Sequence, residues 1–100
     1  MKARALHPEA DAEYEAAVRH YAAIRPELGG RFFDEIERLM AEACTKSTVF
    51  RFICPPARRV LSGYFPYGII YVDQPDRVLI LAVMHLHRAP GYWRHRLPRP

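Results

Sequence analysis

The residues of this chain best suited to chemistry crowd into one late stretch: His85, His87, Arg88, Tyr92, Trp93, Arg94, His95 and Arg96. A pair of cations, Arg58 and Arg59, precedes them. Arginine carries a planar fork of donors that can clamp a phosphate with two hydrogen bonds. Histidine ionises near neutrality, so His85 or His87 could serve as a general acid or base. The alternative for His85 is a hydrogen-bonded residue at a strand end. Tyr92 and Trp93 offer rings on which bases stack, while Arg88, Arg94 and Arg96 could hold a nucleic-acid backbone. Trp93 is better suited to packing on a sheet and anchoring the turn around it. His85 and His87 share strand parity, but no third ligand stands at a matching spacing, so no metal site is expected. No Gly-rich phosphate loop or nucleophile elbow occurs, and no cofactor is expected.

Something must hold these groups in place. Two apolar runs, Ile69 to Val72 and Val78 to Met84, flank a turn of Asp73, Gln74, Pro75 and Asp76, which reads as a strand hairpin. The cationic cluster begins where the second run ends. A further strand is expected over Arg58 to Tyr64, joined to the hairpin through Phe65-Pro66-Tyr67-Gly68. Alternate strand residues face opposite ways. One of Arg58 and Arg59 should therefore face the open side of the sheet, and the other should pair with acidic residues. Ala3 to Leu6 could add an edge strand. Thr45 to Ala57 leads into Pro55-Pro56, which interrupts any ladder, so an irregular segment is expected there. Leu97 to Pro100 reads as a loose tail.

Between the edge strand and this sheet lie two helices. Pro8 opens the first, and Glu9, Asp11 and Glu13 set negative charge against the positive end of its dipole. Ala10, Tyr14, Ala17, Val18, Tyr21 and Ile24 recur every three or four residues as one apolar stripe. The helix should stop at Arg25, because a residue before proline is pushed out of helical geometry. Leu28-Gly29-Gly30 reads as a turn, with a second helix from about Arg31 to Cys44. In that helix Phe32, Phe33, Ile36, Leu39, Met40 and Ala43 face inward, and Asp34, Glu35, Glu37, Arg38 and Glu42 mostly outward. A short connection makes the two helices antiparallel neighbours. The expected fold class is α+β, an N-terminal helical hairpin packed on a small antiparallel sheet, with residues 1–100 forming one domain.

The chain has 100 residues, 15 Lys+Arg against 11 Asp+Glu, and a net charge of +4. Nine of the acids and six of the bases fall before Thr45, for −3; the remainder carries nine bases and two acids, for +7. The basic half is the half that holds the cluster. It suits an anionic partner such as RNA, DNA or an acidic protein segment, or it is a solvated face. No stretch approaches the ~20 apolar residues of a membrane span. With no export signal, Cys44 and Cys54 are expected as free thiols in a cytoplasmic protein.

Several blocks together resemble the RelE/ParE toxin superfamily, the plasmid stabilisation toxins of type II toxin–antitoxin systems. They are H-P-E-A-x-x-E-Y within His7 to Tyr21, L-G-G-R-F at Leu28 to Phe32, and R-R at Arg58 and Arg59. F-P-Y at Phe65 to Tyr67, I-x-Y at Ile69 to Tyr71, and L-A-V-M-H-x-H-R-x-P-G-Y-W at Leu81 to Trp93 complete the set. The resemblance implies a toxin that inhibits growth and is neutralised by a cognate antitoxin, with which it could form an oligomer. Two targets are implied within the family: the ribosome, where mRNA is cut, or DNA gyrase, which is poisoned without cutting. For an RNA-binding endoribonuclease the candidate catalytic residues are Arg59, His85, Arg88 and Tyr92. Arg58, His87, Arg94 and Arg96 are then the candidate binding residues. Between Ser47 and Ala57, where a further catalytic Lys or Glu would be expected, there is neither.

Overall fold

Pro8 at the first turn and the His7 side chain, which accepts a hydrogen bond from the Glu9 N–H at 3.1 Å, start the first helix. In the computed structural model, which describes residues 1–99, the order is β1 (Ala3–Leu6), α1 (Pro8–Ile24), α2 (Pro26–Thr45), β2 (Phe52–Cys54), β3 (Ala57–Leu61), β4 (Tyr67–Asp73) and β5 (Arg77–His85). A 3-10 turn at Arg94–Arg96 follows.

The two helices are joined by Arg25 alone, and α2 starts at Pro26 rather than at Arg31. Gly29 and Gly30 are helical, not a turn. A Cβ on Gly29 would stand 2.6 Å from the Ala22 Cβ, whereas one on Gly30 would meet nothing within 4 Å. Gly29 is there so that α1 and α2 can approach closely just after a one-residue corner. Tyr21 then stacks on Phe32, and Tyr14 on Phe33, as antiparallel helices require.

The sheet runs β1-β5-β4-β3-β2. Its β3, β4 and β5 form the antiparallel meander read from the sequence. At the edge, β1 pairs parallel with β5, Ala3 opposite Arg77 through Leu6 opposite Ile80, so the sheet is mixed. At the other edge, Phe52 to Cys54 is a short strand on β3, in the segment expected to be irregular. A cis Pro55-Pro56 bond turns the chain directly into β3.

Both faces of the sheet are covered. Val60, Ile69, Tyr71, Val78, Ile80 and Val83 pack under the helices against Phe32, Ile36, Leu39 and Met40. On the opposite face Ala57, Ile70, Val72, Leu81, Ala82 and Met84 pack against Trp93. Burying a side chain of that size removes roughly 150–250 Å² from water, so the segment after β5 is fastened to the sheet by its tryptophan, as its composition suggested. A register shift between Ile70 and Tyr71 leaves Leu81 without a partner on β4. It turns Leu81 and Ala82 to the same face, which ordinary alternation would not do. Ile24 and Phe33, read as inward-facing, are exposed. Glu35, read as outward, is 7% exposed and receives Ser62 Oγ–H at 2.6 Å together with two Arg38 donors. Ser62 Oγ in turn accepts from the N–H groups of Tyr64 and Phe65, fixing the turn before β4.

Candidate anion-binding cavity

Strand parity separates the two arginines of β3. Arg58 shares the helix side with Val60. Its Nη1 donates to the Thr48 and Phe50 carbonyls at 3.0 and 2.8 Å, and its guanidinium lies over the Phe52 ring. It fastens the segment after α2 and pairs with no acid of the helices. Arg59 points the other way, to the face covered by the C-terminal segment. There it lines a cavity of about 200 Å³ with Arg88, Arg94, Cys54, Met84 and Trp93. No carboxylate and no histidine lines this cavity. Among the described residues none of the three arginines makes an ion pair, in contrast to Arg4, Arg19, Arg25, Arg38 and Arg96.

Two devices present these guanidinium groups. Arg88 follows the end of β5 and lies with its guanidinium carbon 4.0 Å from the centroid of the Tyr92 ring, a cation–π contact that limits where the head group can go. Arg94 folds back over Gly91, whose φ is +74° and on which a Cβ would stand 2.7 Å from Arg94 Nε. Only glycine both takes that backbone turn readily and leaves room for the side chain.

The histidines fall elsewhere. His85 is on the helix side of β5, its ring edge-on to Tyr67 at 5.1 Å. With Glu13, His20, Tyr67 and Arg88 it lines a second cleft of about 230 Å³. His87 is exposed and donates its N–H to His85 Nδ1 at 3.0 Å. Arg88 is therefore the one candidate that reaches both hollows, and Arg59 and His85 lie on opposite faces of the sheet. Among the described residues no group of three His, Cys, Asp or Glu is arranged to hold a metal ion. Both cysteines are free, and no helix is long and apolar enough to cross a membrane.

Besides Arg58, two further candidates are engaged internally. Arg96, read as a binding residue, is 7% exposed. Its Nη1 and Nη2 donate to the two oxygens of Glu13 at 2.7 and 3.0 Å, and Nη1 also reaches the carbonyl of Leu81, the residue left over by the register shift. The Tyr92 hydroxyl donates to Glu13 Oε2 at 2.7 Å. Burial, reinforced by the adjacent carboxylate, holds that phenol protonated well above its ordinary range. It faces α1 and does not line the cavity. His95 Nε2 stands 2.7 Å from Glu9 Oε2 and draws that carboxyl below its usual value. Of the segment that reads as a loose tail, Leu97 packs beside Trp93, while Pro98 and Arg99 are exposed; Pro100 lies outside the described residues.

Glu13 was read only as a charge near a helix start. In the fold it accepts from four donors, two at each oxygen: Val83 N–H at 3.2 Å and Arg96 Nη1 on Oε1, Tyr92 O–H and Arg96 Nη2 on Oε2. That fills the capacity of a carboxylate. Its position three after Ala10 and four before Ala17 places it on the buried stripe, which is the sequence signal that could have marked it.

No protein-family model matches the chain, and no curated protein matches it. Among solved structures, a chain of the chromosomal ParDE TA system from P. aeruginosa is similar, with a TM-score of 0.72 at 17% identity over 85% of this chain and 96% of that one. At this identity the likeness speaks for the fold alone, which the two share: α+β, two helices on a five-stranded sheet.

Proposed function

We propose that the chain is the toxin of a type II toxin–antitoxin pair, neutralised by a cognate antitoxin, and that it acts by gripping its target rather than by cutting it. The observation that carries this is the composition of the cavity: three unpaired arginines, with no carboxylate and no histidine beside them. Such a site attracts and orients an anionic surface, because guanidinium groups near one another gain most when an anion is placed between them. It holds no histidine, carboxylate or lysine to take a proton from a ribose hydroxyl or deliver one to a leaving oxygen. His85 is behind the sheet and the Tyr92 proton is committed to Glu13. DNA gyrase, the target implied for members that do not cut, fits this reading. The likeness to a ParDE chain supports the toxin assignment. Exposed apolar side chains at Phe33, Val49, Phe52 and Tyr64 provide surface for an antitoxin.

The second reading, a ribosome-dependent endoribonuclease, is favoured by one observation, the convergence of Arg59 and Arg88 where a scissile phosphate would be held. Induced expression separates the two. Inhibited supercoiling by purified gyrase, with intact mRNA and a DNA-damage response in cells, supports the binding toxin. Rapid cleavage of mRNA at codons overturns it. Growth rescue by the product of an adjacent small gene identifies the antitoxin.

A further inference from the structure

The guanidinium of Arg88 stands at the junction of the cavity and the cleft, and it makes no hydrogen bond or ion pair among the described residues. A long exposed side chain without a polar partner samples many rotamers and loses that freedom on binding a ligand. Here the ring of Tyr92 restrains it, lying under the guanidinium. That ring is not free to turn away. Its hydroxyl is tied to Glu13 Oε2, and Glu13 is itself tied to β5 through Val83 N–H and to the 3-10 turn through both terminal nitrogens of Arg96.

We propose that Glu13 is the positioning residue of the arginine cavity: acting through the Tyr92 ring, it sets where Arg88 stands before a target arrives. Glu13 touches no ligand. It holds the phenol, the phenol holds the guanidinium, and the target meets a guanidinium that has already lost most of its freedom. The chain of contacts runs from α1, across the end of the sheet, to the face opposite the helices. The consequence for binding rests on reading the cavity as the target site; the placement of Arg88 does not.

The test uses Tyr92→Phe, which keeps the ring and removes only the hydrogen bond to Glu13. It also uses Tyr92→Leu, which removes the ring. The Arg88 Nε–H resonance reports the position of the guanidinium over the ring, and titration with inorganic phosphate reports the cavity. In the wild-type protein the resonance is displaced by the ring and moves as phosphate is added. In Tyr92→Phe the displacement shrinks, and phosphate binds about 3–10-fold more weakly, the loss of one hydrogen bond's worth of restraint. In Tyr92→Leu both effects are larger. An Arg88 resonance and a phosphate affinity both unmoved in a folded Tyr92→Phe protein overturn the proposal. Phosphate binding that ignores Arg59→Ala and Arg88→Ala overturns the cavity reading instead, while the resonance still decides the role of Glu13.

Discussion

Glu13 Oε1 and Arg96 Nη1 lie 2.7 Å apart across the end of the sheet, and both side chains are largely shielded from water. Each is the other's main compensation for burial. Truncating the arginine leaves a carboxylate with its desolvation cost and half its donors gone. Arg96→Leu should therefore lower the stability by about 3 kcal/mol, or roughly 12 °C or more in the thermal midpoint of a domain this size. Differential scanning calorimetry reads it. A loss below about 0.5 kcal/mol, the level of an ordinary surface change, would mean the pair is not holding the segment.

Arg59 and Arg88 should separate activity from stability. Arg88 is exposed and neither residue is ion-paired, so Arg59→Ala and Arg88→Ala should each unfold within about 0.5 kcal/mol of the wild type and yet lose toxicity on induction. Growth curves beside urea unfolding of the purified variants give the comparison. Full toxicity in a soluble Arg88→Ala protein would remove the cavity from the mechanism.

The glycine pair of α2 offers an internal control. Gly29→Ala forces a methyl against Ala22 and should destabilise by roughly 1–3 kcal/mol, as overpacking does. Gly30→Ala, in open space on the same helix, should stabilise by about 0.5–1 kcal/mol. Opposite signs from adjacent positions are the result to look for in chemical denaturation.

Acid should weaken the fold through identifiable groups. Arg38, then Ser62, hold the Glu35 carboxyl below its usual value, and Lys2 does the same for Asp73. A carboxyl depressed in the folded state contributes its full stabilisation above its unfolded value, about 4.3 for Glu and 3.9 for Asp. That contribution falls away as the pH drops through the lowered folded value. Stability should be level near neutrality and decline below about pH 4. Glu35→Gln should flatten part of that decline, measured as unfolding free energy against pH. An acid limb of unchanged slope would assign the loss to other groups.

Much of this was legible from local patterning. The hairpin of β4 and β5, the start of α1 at Pro8 and its end before Pro26 follow from periodicity and from the geometry of proline, which act within a few residues. Gly29-Gly30 misled because glycine serves both a turn and a close helix approach, and only the position of Ala22 decides between them. The parallel pairing of β1 has no local signature, since its partner is far along the chain. The short strand at Phe52–Cys54 was hidden by the two prolines after it. Of the candidate site, Arg59, Arg88 and Arg94 were brought to one cavity, whereas Arg58, Arg96 and the Tyr92 hydroxyl were taken up inside the fold. Residue type alone cannot distinguish an arginine left without an ion pair from one that already has Glu13.

The parallel pair of β1 and β5 also orders events in time. During synthesis β1 leaves the ribosome early and has no strand to join until β5 follows it. Such distant pairings form late, because the intervening chain must first be brought together at an entropic cost. Arg88 and Arg94 follow β5 and depend on Trp93 packing over the finished sheet. A nascent chain halted before β5 therefore carries the helices and no assembled cavity, so the three arginines meet only after the last strand has joined the sheet.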